Sequence, residues 1–198
     1  MCPISSGRVA WATAPQSQVG GKNVNILTQA EASQYLGEAY NKYWSDSEAS
    51  YYSTRFKIDT DCGRVNALAR ALGGLFCKDT GCILIVKCIS IFPSSEDLYL
   101  AHALRSHFGE VRPISDAPAH VFSGREQDAC ASMIHVSILN FWDFLIVSEN
   151  KRNCVCGSHD EFIDIFGVEI SEFQEICAAV RRLDLPELFR ERTPSGAG

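Results

Sequence analysis

A chain of 198 residues, 46% apolar and 21% charged, is long enough to bury a core of its own. Its net charge of −6 argues against a general nucleic-acid binder, and no run approaches the roughly 18 apolar residues of a membrane span. The charge is uneven: residues 55–125 carry nine basic against seven acidic side chains, residues 158–192 four against nine. The nine cysteines are odd in number, and Cys82, Cys88, Cys130 and Cys177 lie in apolar runs. That pattern points to buried free thiols in a reducing compartment, and with no apolar leader in the first 14 residues a cytoplasmic protein is expected.

Residues 1–27 are small, polar and aperiodic and read as a poorly ordered arm ending in a short strand at 24–27. Thr28 and Glu31 spell a capping box, after which Ala32, Tyr35, Leu36, Ala39, Tyr40 and Tyr43 share a helical face. A loop at 44–53 and a strand at 52–58 follow, then an amphipathic helix carrying Val65, Leu68, Ala69, Leu72, Leu75 and Phe76. The run Cys82–Cys88 reads as a strand buried on both faces, which is typical of parallel sheets. A helix from Ser95 to Phe108 and a short strand at 111–114 complete a right-handed crossover. Ser115–Arg125 reads as a loop, and 129–139 and 141–148 as strands. Ser158 with Glu161 and Ser171 with Gln174 start two closing helices. The expected layout is an α/β core over 28–150, a helical appendage over 151–192 and a disordered tail at 193–198.

The stretch from Gly81 through "CILIVKCISIFPSSEDLYLAHALRSHFGEVRPISDAPAHVFSGRE" to Glu126 resembles the second half of the FtsJ/RrmJ-type ribose 2′-O-methyltransferases, which include viral cap enzymes. The similarity covers about residues 60–128. It implies a Rossmann-like methyltransferase sheet, truncated on its N-terminal side, with C-terminal helices. It also implies S-adenosylmethionine as cofactor and RNA as substrate. Of the family's Lys-Asp-Lys-Glu set, Lys87 and Glu126, 39 residues apart, match the last two members. Asp46, 41 residues before Lys87, and Asp59, 28 before it, are the two candidates for the aspartate. In such a set a lysine beside carboxylates orients or accepts the proton of a ribose hydroxyl. No glycine-rich cofactor loop precedes these residues, and Lys22 is the nearest candidate for the first lysine, so the match implies a shortened or degenerate version.

Other readings stand beside it. One is a methyltransferase-like fold without activity that binds RNA or a protein, the latter through its acidic C-terminal helices; another is an unrelated α/β interaction protein. Cys154, Cys156 and His159 have a spacing that zinc accepts, with Cys77 and Cys82 as further ligands, although without a second pair at standard spacing a thiol-rich turn explains them better and no metal is expected. His120 and Arg125 lie in the loop before Glu126, within reach of a substrate or, more simply, of solvent.

Overall fold

The computed structural model describes residues 24–37, 51–58, 61–78, 81–88 and 95–192. It is a mixed α/β structure in which eight strands form one open sheet. β1 (Asn25–Leu27) leads into α1 (Gln29–Leu36), where the capping box forms: Glu31 N donates to Thr28 Oγ1, and Thr28 N donates to Glu31 Oε2 at 2.7 Å. The continuation of this helix face at Ala39, Tyr40 and Tyr43 lies outside the described residues, as do Asp46, Asp59, Lys22, most of the 1–27 arm and the 193–198 tail.

β2 (Tyr52–Lys57) is followed by α2 (Cys62–Phe76), capped by Asp61, whose carboxylate accepts from Arg64 N at 3.0 Å. The expected stripe Val65, Leu68, Ala69, Leu72 and Phe76 is buried. β3 (Cys82–Cys88) and α3 (Ser95–His107) also match expectation. The crossover does not. Val111–Ile114 is no strand; Val111 is exposed, and the next strand, β4 (Ala119–Phe122), runs antiparallel to β3 from within the expected loop.

Residues expected to be a strand form α4 (Gln127–Leu139) instead. Cys130, Ala131, Met133, Ile134 and Ile138 are all buried, and the exposed side carries few polar residues, Gln127, Asp128 and Ser132 beside an exposed Leu139, so the run imitates a core strand. β5 (Asp143–Ser148) was anticipated; β6 (Asn153–Ser158) and β7 (Phe162–Gly167) replace the expected helix. Ser158 and Glu161 close the β6–β7 turn, Glu161 N donating to Ser158 O at 3.1 Å with Glu161 at φ 64°. α5 (Ile170–Arg181) and an unanticipated β8 (Glu187–Arg192) complete the chain. The expected appendage at 151–192 thus contributes three strands to the common sheet.

The strand order is β1-β4-β3-β5-β6-β7-β2-β8, and every neighbouring pair is antiparallel. The parallel arrangement expected around β3 is therefore not formed. Helices α2, α4 and α5 bury one face with Leu84, Val86, Ile146, Val155 and Ile165. On the other face α1 sets Ala32 and Leu36 against Ile83, Ile85, Leu145 and Val147. β3 is covered on both sides, which accounts for its unbroken apolar run whatever its neighbours' direction. Beyond α1, Arg55 bridges β2 to Asp164 of β7 through two bonds of 2.6 and 2.8 Å, its guanidinium 3.8 Å over the Phe162 ring.

The edge strand β1 is tied down by Arg112, which donates to Ile26 O at 2.9 Å and holds both Glu110 oxygens, at 2.9 and 2.6 Å. Those bonds hold the Glu110 carboxyl at about 2, below its ordinary 4.5. A carboxylate depressed in this way adds stability that is present above about 4.5 and lost as pH falls toward 2. Glu110→Gln is expected to cost about 1–2 kcal/mol at neutral pH and nothing at pH 2, as read by thermal melts at the two values. An equal loss at both values would show that the charge is not what matters.

Candidate functional site

The last turns of α3 and the chain that doubles back from Glu110 to Pro118 enclose Arg105. Phe108 N and Glu110 N both donate to Arg105 O, and Gly109 at φ 81° reverses the chain. The Arg105 side chain is only 1% exposed. One terminal nitrogen donates to Ala117 O at 2.8 Å, whereas Nε has no partner. Burial lowers its pKa from the ordinary guanidinium value, yet an arginine remains protonated. Glu110 and Asp116 favour that charge from a distance and Arg112 opposes it, but Glu110 is committed to Arg112, and Arg105 makes no ion pair among the described residues.

Arg105 forms part of the wall of a 460 Å³ cavity, with Leu98, Ala101 and His102 of α3 and Val111 and Ile114 of the return chain. This volume is typical of a small-molecule site, which spans about 300–1,000 Å³. Leu98 and Val111 of this wall are exposed apolar residues. An apolar wall with one buried, unpaired cation suits a ligand with an apolar body and a single negative charge. The apolar residues alone suggest Leu98, Ala101, Leu104 and Phe108 as the inward face of this helix, which leaves Arg105 out. The available signal was the spacing Leu98, Ala101, Arg105, Phe108, which sets a charge at a core position of the helix.

Of the residues expected to be catalytic, the two that are described, Lys87 and Glu126, are not brought together. Lys87 is exposed, one residue before the end of β3. Glu126 lies beyond the opposite end, because Cys82 pairs with Phe122. Five strand residues, about 17 Å at 3.4 Å each, separate Lys87 from the Cys82 end. Glu126 is buried at the start of α4, where it accepts from Ser123 N at 2.7 Å and Ser123 Oγ at 2.9 Å, closing the turn that "SGRE" encodes. Arg125 is exposed beside it. His120 is no loop residue: it sits fully buried in β4.

The candidate zinc ligands also separate. Cys154 packs under α1, on the opposite sheet face from Cys77 and Cys82. His159 is bound instead to Asp143, Nδ1 lying 2.9 Å from Oδ1, which raises its pKa. Cys77 and Cys82 find another companion, Cys130, with Sγ separations of 3.5 Å (Cys77–Cys82) and 3.6 Å (Cys82–Cys130). Of the two acidic helices expected to meet a partner, only α5 is a helix. Its Glu172 is held by Asn153 at 2.6 Å and its Glu175 lies 3.5 Å from Lys78.

Fold and site together define a mixed α/β protein with an open antiparallel sheet and an apolar cavity around one buried cation. Compared with known proteins, the chain matches no family model, no curated protein and no solved structure. No helix among the described residues is long and apolar enough to cross a membrane.

Proposed function

We propose that this protein is a binding module for a compact apolar monoanion, a medium-chain carboxylate being the simplest example, taken into the Arg105 cavity. The observation that carries the reading is the buried guanidinium without an ion pair. Removing a charge from water costs several kcal/mol unless a partner restores its interactions, and a bound carboxylate is such a partner. A dianion fits less well, since Glu110 and Asp116 lie near enough to act on the same charge. The wall offers His102 and Ser115 as its other polar groups, a set that suits holding a ligand more than transforming it.

Titration calorimetry with octanoate tests this. Saturable binding is expected, with octanol weaker and Arg105→Met lowering octanoate affinity about 10- to 100-fold through loss of a charged hydrogen bond. Octanoate binding unchanged in Arg105→Met, or absent at millimolar ligand, sinks the proposal. The competing reading is S-adenosylmethionine-dependent methylation of RNA ribose on a Rossmann-like sheet. It draws support from the exposed position of Lys87 at the end of β3. The antiparallel sheet and the distance from Lys87 to Glu126 weigh against it. Saturable S-adenosylmethionine binding, together with methyl transfer to RNA that Lys87→Ala abolishes, would favour it over the carboxylate.

A further inference from the structure

Three elements converge on one buried point behind the sheet. Cys77 follows the last turn of α2, Cys82 opens β3, and Cys130 lies in the first turns of α4. All three are at most 1% exposed, and their sulfurs lie within 4.8 Å of one another. The convergence is built into the backbone. Gly73, whose carbonyl accepts from Cys77 N, lets α2 approach α4 so closely that a Cβ there would stand 3.0 Å from Ala131. Gly81 brings the chain against Phe122 O immediately before Cys82.

We infer that Cys77, Cys82 and Cys130 form a trigonal thiolate site for a soft monovalent d10 cation, Cu(I). The first argument is size. With two edges of 3.5 and 3.6 Å and a third of at most 4.8 Å, the sulfurs lie no more than about 2.4 Å from the centre of their triangle. That matches the metal–thiolate bond length of about 2.3 Å known for zinc, and soft thiolates select Cu(I) as well as Zn(II). The second argument is ligand number. No fourth donor belongs to this group among the described residues, whereas a structural zinc site takes four. Three-coordination satisfies Cu(I).

Binding to three thiolates would release the thiol protons to solvent.

The test is anaerobic competition of the reduced full-length protein against bathocuproine for Cu(I), with X-ray absorption of the loaded wild-type protein. Expected are one equivalent transferred, a single shell of three sulfur neighbours, and at least 100-fold weaker binding in both Cys82→Ser and Cys130→Ser. Cys62→Ser, which changes an exposed thiol outside the cluster, keeps wild-type affinity. No transfer, full affinity in either cluster variant, or a two-sulfur shell overturns the assignment. Zn(II) binding tighter than Cu(I) overturns it too. The absorption spectrum needs no variant, so a misfolded mutant cannot decide the matter.

Discussion

Gly81→Ala is expected to cost about 3–5 kcal/mol, enough to bring most domains of this size close to unfolding. Gly81 has φ 114°, a region that side chains rarely enter, and the added Cβ would lie 2.2 Å from Phe122 O and 3.1 Å from Ser123 Cα. Both neighbours are backbone, so no rotamer relieves the clash. Strained φ contributes about 1–3 kcal/mol and overpacking about as much again. Gly81 O also accepts from Glu149 N at 3.0 Å, so a shift of this residue disturbs the β3 contacts with β4 and with the end of β5 at once. Gly74→Ala is the control: it lies in α2 with nothing within 4 Å of the new Cβ and should stabilise by up to about 1 kcal/mol. Urea midpoints of the two variants, compared with wild type, read both effects. A Gly81→Ala protein as stable as wild type would mean that the β3–β4 register is wrong.

The second large effect is acid destabilisation through His120. Its ring is buried in β4, roughly parallel to Phe122 with centroids 6.2 Å apart. Burial, aided by the charge of Arg105 and countered by Glu110, pushes the imidazole from 6.5 down to about 3. In the unfolded chain this histidine takes up a proton near pH 6.5; in the folded one it stays neutral to about pH 3. Stability therefore falls as pH drops below 6.5 and continues to fall to about 3. Between pH 7 and pH 4 the loss from this one group is about 3 kcal/mol. His120→Leu removes the titration, so the difference between variant and wild type should shift by that amount over the interval. Glu110 titrates in both proteins and cancels. A pH-independent difference would mean that His120 takes up its proton as readily inside the fold as in the unfolded chain.

Much of the architecture could be read from the chain where one local signal agreed with its surroundings. Thr28 with Glu31, the α2 stripe and the β3 run are such cases. Failures arose where burial erased the distinguishing pattern. The residues of α4 are mostly apolar, even Leu139 on its exposed side, so the helical period is faint and its length is the better guide. Ser158 and Glu161 carry the same spelling as Thr28 and Glu31. What separates them is the alternation of β7: Ile163 and Ile165 face the core, while Phe162 and Asp164 lie on the other face. The direction of β3's neighbours was not readable at all, since a strand covered on both sides has one pattern whichever way its partners run. At the candidate sites, Arg105 and the cysteine trio were written as ordinary positions of helices and strand ends. Their meaning depends on a chain reversal at Gly109 and a close helix contact at Gly73, which are tertiary facts.

The place of β2 in the sheet bears on how the chain is made. β2 is inserted between β7 and β8, so Lys57 pairs with Phe162 and Phe56 with Glu187. More than a hundred residues must leave the ribosome after β2 before either partner strand exists. At about 5–20 residues per second this delay is of order ten seconds, during which Phe56, fully buried in the finished protein, has no cross-strand neighbour. Pairings so distant in sequence slow the search for the native state. Final closure of the sheet therefore waits for residues 162–192 to emerge, and a chain stalled before residue 162 carries a β2 strand with neither of its neighbours.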